Sequence, residues 1–160
     1  MTKLQKRGEK NQEVWYMAGK AVCMVTNNPK AYAAHKDNPY VDVDYFENGT
    51  YEDVVTRVRD RVFSGWHLLT HPQASNLRPC QCPFKTILIS DKIKANPFQT
   101  DIEYVTNMME SFQKHMEGKA APVWTEKVLP DFMTVDLDIV ESALNSCALK
   151  QKMLSANDYE

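Results

Sequence analysis

Glycine is scarce in this chain, at five residues in 160, and none falls in a GxGxxG, Walker or GxSxG pattern. That excludes the familiar glycine-rich cradles for nucleotide phosphates and the serine nucleophile elbow. No apolar run approaches the roughly 18 residues needed to cross a bilayer. The opening MTKLQKRGEKNQEVWYMAG has no hydrophobic centre of the kind a secretion signal requires. A cytoplasmic location with no membrane partner is the expectation. A basic excess is also missing: 19 Lys and Arg stand against 21 Asp and Glu, for a net charge of -2. The basic residues are dispersed among acids, which argues against phosphate neutralisation and hence against nucleic-acid binding. Cysteine is limited to Cys23, Cys80, Cys82 and Cys147. A reducing compartment would keep these as thiols, so no structural disulfide is expected. Cys80 and Cys82 are one residue apart, whereas metal and redox pairs usually have two between them, and no second His or Cys pair stands at ligand spacing. No metal site and no cofactor are expected. A thiol switch at Cys80 and Cys82 would need a lowered pKa, for which only Arg78 and Lys85 are nearby in sequence.

What is present suits one soluble globular domain. Hydrophobic residues make up 43% and charged residues 25% of the chain, enough apolar material for a core and too much for wholesale disorder. The expected organisation is an N-terminal extension over 1–20, one α/β domain over 21–155 and a short tail over 156–160. Within the extension, Val14 to Met17 could form a short helix or edge element.

Ala21 to Val25 reads as a buried strand that leaves through Thr26, Asn27 and Asn28. Pro29 suits the first position of a helix and Asn28 suits its cap, so a short helix is predicted through Ala31 to Ala34. Val41, Val43 and Tyr45 alternate with Asp42 and Asp44, the pattern of a half-exposed edge strand. In GTYEDVVTRVRDRVFSG, Thr50 and Asp53 form a variant capping box. Val54, Val55, Val58 and Val62 line one face, and Gly65 ends the helix. Arg57, Arg59 and Arg61 alternate with acids and read as its solvated face.

Trp66 to Thr70 and Thr86 to Ser90 read as central strands, apolar on both faces. Pro97, Thr100 and Glu103 announce a second long helix whose Ile102, Val105, Met109, Phe112 and Met116 recur at three and four, ending at Gly118. Lys119 to Phe132 reads as a loop with at most one short strand at Pro122 to Trp124. A last helix is predicted from Asp136 or Asp138, with Leu137, Val140, Leu144 and Cys147 on one face, fading after Met153. Alternating strands and helices predict a three-layer α/β sandwich around a small, mainly parallel sheet of four or five strands.

Between the two central strands runs a long polar loop. Loops of this length usually bind or catalyse, and ligands in open α/β sheets bind beyond the carboxyl ends of the strands. The predicted crossovers would bring Thr26, Asn27 and Asn28 close to Thr70, His71, Ser75 and Arg78. Arg78, stiffened by Pro79, has the fork that recognises carboxylate or phosphate, or it is a surface Arg paired with a local acid. His71 could orient or protonate such an anion, or act as a weak general acid or base, or simply fix the loop. A catalytic role would need a carboxylate beside it, and Asp44, Asp91 and Asp136 are the candidates. Asn27 and Asn28 could offer amides to an anion, or serve only as turn chemistry.

Two motifs, VTNNP at Val25 to Pro29 and LLTHPQASNLRP at Leu68 to Pro79, resemble the GrdX family. The intervening YEDVVTRVRDRVFSGWHLLTHP, the following PFKTILIS and the late LDIVESAL fit the same pattern, so the resemblance covers most of Val22 to Gln151. It implies an accessory protein of the glycine, sarcosine and betaine reductase systems of amino-acid-fermenting anaerobes, and it implies no particular reaction. Reductase subunits are the partners it suggests, and a small carboxylate or phosphate is the ligand that Arg78 suggests. Cys80, Gln81 and Cys82 depart from the family pattern, and Lys119 to Phe132 is longer than it requires. Three roles follow: an accessory binding protein, a small enzyme using His71 on an amino acid or phosphorylated metabolite, and a purely structural docking subunit.

Overall fold

A computed structural model describes residues 22–72, 81–90, 99–118 and 122–146. The expected element at Val14 to Met17, the tail, Pro97, Cys147 and Met153 lie outside the described residues. Among those described, the order is β1 (Val22–Thr26), α1 (Pro29–His35), β2 (Val41–Tyr45), α2 (Tyr51–Phe63), β3 (His67–Leu68), β4 (Thr86–Ser90), α3 (Gln99–Met116) and α4 (Leu129–Leu144). The fold is α/β, with four strands in the order β2-β1-β4-β3.

The sheet is mixed, which corrects the expectation of a mainly parallel one. β1 and β2 are parallel, with Val22 opposite Val41 and Thr26 opposite Tyr45. β4 enters between β1 and β3 and runs antiparallel to both, pairing Thr26 with Thr86 and His67 with Ser90. The physical reason lies in the connections: α1 returns the chain for a parallel pairing, whereas no predicted helix separates Leu68 from Thr86, and a parallel neighbour needs such a crossover. β3 is also shorter than the predicted strand. Beyond Leu68, the Leu69 and Thr70 amides still donate to the Leu88 carbonyl, and the Thr70 hydroxyl accepts the Leu88 amide at 3.1 Å.

Strand residues alternate between two cores, as the period of two requires. Cys23, Val25, Ile87 and Ile89 join Val54, Val55, Val58 and Val62 of α2 and Val105 and Met108 of α3. Val22, Met24 and Leu88 join Ala31 of α1, Val41, and Val140 and Leu144 of α4. The Thr50 side chain caps α2 and Asp53 closes the box, with bonds of 3.2 and 2.8 Å. Gly65 follows with a φ of 107°, a left-handed value that glycine adopts without strain. Arg57 and Arg61 are not simply solvated: both donate to Asp44 of the edge strand, at 3.1 and 3.2 Å, and lie over the Phe46 and Trp66 rings.

α4 begins at Leu129, well before the predicted start, and 122–125 is not a strand. Pro130 sits in the first turn of α4, where its missing N–H costs nothing, so the proline opens this helix instead of preceding it. With that start, Asp136, Val140 and Leu144 form one buried stripe at a spacing of four.

Leu88 is fully buried in the second core, so Leu88→Ala should lower unfolding stability by about 2–5 kcal/mol. A urea melt would show this as a lower midpoint at unchanged slope, and an unaltered midpoint would contradict the packing described.

Candidate functional site

The residues that leave β1 build a polar knot where β1 ends and β4 begins. The Thr26 hydroxyl accepts the Asn28 amide at 2.9 Å and lies 2.7 Å from the Thr86 hydroxyl, its register partner across the sheet. Thr86 Oγ1 donates to Asp136 Oδ2 at 2.6 Å, which leaves Thr26 to donate to Thr86. Asn28 Nδ2 reaches the same Oδ2 at 2.9 Å, and the Thr86 amide meets Oδ1 at 3.1 Å. The bonds close a ring through β1, β4 and α4, and rings of this kind polarise and strengthen their members.

Every side-chain polar atom of Asn27 and Asn28 is bonded inside the protein. Each amide has two N–H donors and a carbonyl acceptor. Asn27 donates to the carbonyls of Gly49 and Pro83, at 3.1 and 2.8 Å, and accepts the Lys85 amide at 2.8 Å. Asn28 donates to the Met133 carbonyl and to Asp136, both at 2.9 Å, and its Oδ1 caps α1 by accepting the Lys30 amide at 3.0 Å. Gly49 has a steric role here, because a β-carbon at that position would collide with Phe46.

The other expected site residues stand elsewhere. β4 separates β1 from β3, and Thr70 bonds to Leu88 on the far side of β4. His71 is exposed, with its ring 4.7 Å from that of Tyr104 on α3. Ser75, Arg78 and Cys80 lie outside the described residues, as does Asp91. Of the carboxylates considered for His71, Asp44 pairs with Arg57 and Arg61, and Asp136 belongs to the knot. Thus Thr26, Asn27 and Asn28 come together with Thr86, Lys85 and Asp136, not with Thr70 or His71.

Sequence reasoning missed Lys85 and the buried setting of Asp136. The signal for Asp136 was its place four residues before Val140, but it was visible only with α4 extended back to Leu129. Lys85 adjoins a buried strand and carries no periodic signal. Both are almost fully buried. Burial holds the Asp136 carboxyl above its ordinary value of 3.8, against the pull of the Thr86 and Asn28 hydrogen bonds and the Lys85 charge. Burial also pushes the Lys85 ammonium below its ordinary 10.5, although the Asp136 charge opposes this. Cys82 is pushed up to about 11 and Cys23 to about 12, again by burial, so both stay protonated thiols. Among the described residues, no group of three or more His, Cys, Asp and Glu side chains is placed to hold a metal. No described helix is long and apolar enough to cross a membrane.

Two measurements check this electrostatic picture. Since the folded carboxyl of Asp136 binds its proton more tightly than the unfolded one, its contribution to stability must fall as pH rises above 3.8 towards the raised value. Denaturation of wild type and Asp136→Asn between about pH 4 and about pH 7 should show wild type losing stability relative to the variant. Parallel curves would break the linkage. In the native state at about pH 8, Cys23 and Cys82 should resist aromatic disulfide reagents until the chain unfolds. Prompt native labelling of either would place it outside the core.

One comparison with known proteins, that against family models, agrees with the resemblance carried by VTNNP and LLTHPQASNLRP. No curated protein and no solved structure matches the chain. A family model described as GrdX-like protein matches residues 23–145, which takes in the knot, all of α4 and every core residue named above except Val22. On that match, over most of its length, the chain belongs to the GrdX-like protein family.

Proposed function

We propose that the protein is a cytoplasmic accessory component of a glycine, sarcosine or betaine reductase system and acts by docking to a reductase subunit. Family membership supports the setting. The observation that supports the docking mode is the engagement of Asn27 and Asn28: both N–H donors and the carbonyl of each side-chain amide are bonded within the chain. Such a knot holds a surface in shape. On the segment ahead of α4, Val123 is 98% exposed, and Trp124, whose ring packs against Phe132, is 37% exposed. Neighbouring exposed apolar side chains of this kind are what a partner surface uses.

A second reading keeps the small anionic ligand, held by Arg78 and Ser75 with His71 orienting it. His71 favours this reading through its exposure at the start of the loop. An acid–base role for His71 draws less support, because Asp44 and Asp136 are engaged elsewhere.

Tagged protein recovered from cells fermenting glycine should bring down reductase subunits. Val123→Asp should cut that recovery several-fold while leaving the melting temperature unchanged, since the side chain is exposed. Recovery without any reductase subunit would overturn the docking role. Stabilisation by glycine, betaine, sarcosine or acetyl phosphate in a thermal-shift assay, lost in Arg78→Ala, would instead favour the ligand reading.

A further inference from the structure

Where α2 begins and α3 ends, the surface opens into a groove of about 640 Å³. Phe112 and Met116 give it an apolar lining, and the Phe112 ring stacks on that of Tyr51 at 5.5 Å, which ties the two helices together there. Glu52, Glu110 and Glu117 line it as well, against a single ammonium, that of Lys114. All four charged side chains are exposed, and none forms an ion pair or hydrogen bond with another described residue. The groove therefore carries a net negative charge that nothing described neutralises. The last carbonyls of α3 add to it, since a helix C-terminus is partially negative. The partial positive charge at the start of α2 does not cancel this, because Asp53 already meets it in the capping box.

We propose that this groove is a docking site for the chain's own basic segment, residues 3–10, whose Lys3, Lys6, Arg7 and Lys10 meet Glu52, Glu110 and Glu117. That segment, KLQKRGEK, holds four basic residues to one acid and is richer in basic residues than any other stretch of its length in a chain of net charge -2. Leu4 supplies an apolar side chain for Phe112 and Met116. The tether is long enough. Gly49, two residues before α2, is bonded to Asn27 just past the end of β1, so the groove lies towards the carboxyl end of that strand and β1 starts at the other. A strand of five residues covers about 17 Å, whereas the chain from Lys10 to Val22 can span about 40 Å. Single exposed ion pairs are weak, but a tethered segment meets its site at an effective concentration in the millimolar range, so several weak contacts suffice. The segment lies ahead of the family match, which starts at residue 23, so the strap belongs to this chain's extension and not to the shared domain.

This inference does not rest on the docking role: neither Val123 nor Trp124 lines the groove, so subunit capture and strap binding can each fail without the other. The test treats the dilute full chain with a water-soluble carbodiimide, which joins a lysine amine to a carboxylate only when the two are in contact. The monomer is isolated and its joined peptides are read by mass spectrometry. Lys3, Lys6 and Lys10 should be joined to Glu52, Glu110 or Glu117 several-fold more often than to the exposed Glu47 and Glu126. The preference should vanish at about 1 M salt, where the screening length is about 3 Å. In the double variant Glu110→Gln, Glu117→Gln, the links that remain possible, those to Glu52, should fall several-fold at an unchanged melting temperature, since both changes are on the surface. Links spread evenly over the exposed carboxylates, or links to Glu52 that the double variant leaves undiminished, overturn the proposal. Links found only in a crosslinked dimer would give the groove to a second copy and overturn it too.

Discussion

Three segments far apart in sequence meet on one carboxyl group. Asn28, Thr86 and Asp136 come from the end of β1, the start of β4 and the middle of α4, and their hydrogen bonds are buried. In a low-dielectric interior such bonds are strong, and an unmatched member costs about 1–3 kcal/mol. The ring therefore fixes more than local geometry: it sets the depth at which α4 lies on the sheet and the register in which β4 meets β1. Asn27 does the same on its side of the chain, gathering the turn before α2 and the approach to β4. The VTNNP stretch is thus the point from which both cores are aligned.

The parts of this structure that were legible in the sequence are those that local chemistry decides. Asn28 as a cap, Pro29 in the first turn of α1 and the Thr50–Asp53 box all stand as their side chains predicted. So do the valine face of α2, the half-exposed edge strand β2 and the glycine that ends α2. Long-range choices were not legible. Nothing in Thr86 to Ser90 says whether it pairs parallel or antiparallel, because a strand buried on both faces is apolar either way. Pro130 misled for a different reason: a proline reads equally well as the end of a loop and as the opening turn of a helix, and that ambiguity hid the stripe of Asp136, Val140 and Leu144.

The candidate site was half legible. Thr26, Asn27 and Asn28 do converge with a second strand end, but the strand is β4, so their partners are Thr86, Lys85 and Asp136. Insertion of β4 moved Thr70 one strand away, and His71 went with it to the Tyr104 ring. The two described cysteines are likewise explained by burial, which keeps the sulfur protonated and slow. Family membership and the exposed Val123 and Trp124 then bear on what the rigid end of the sheet is for.

The strand order has a consequence for how the chain is made. β1 is the first described strand and β4 the last, yet they lie side by side at the middle of the sheet. During synthesis β1 can pair with β2 early, but its other edge stays open until residue 90 has left the ribosome. For that interval an entirely buried, apolar strand presents unpaired amides and carbonyls to whatever is near. The hazard to this protein lies in the delay between its first strand and its last.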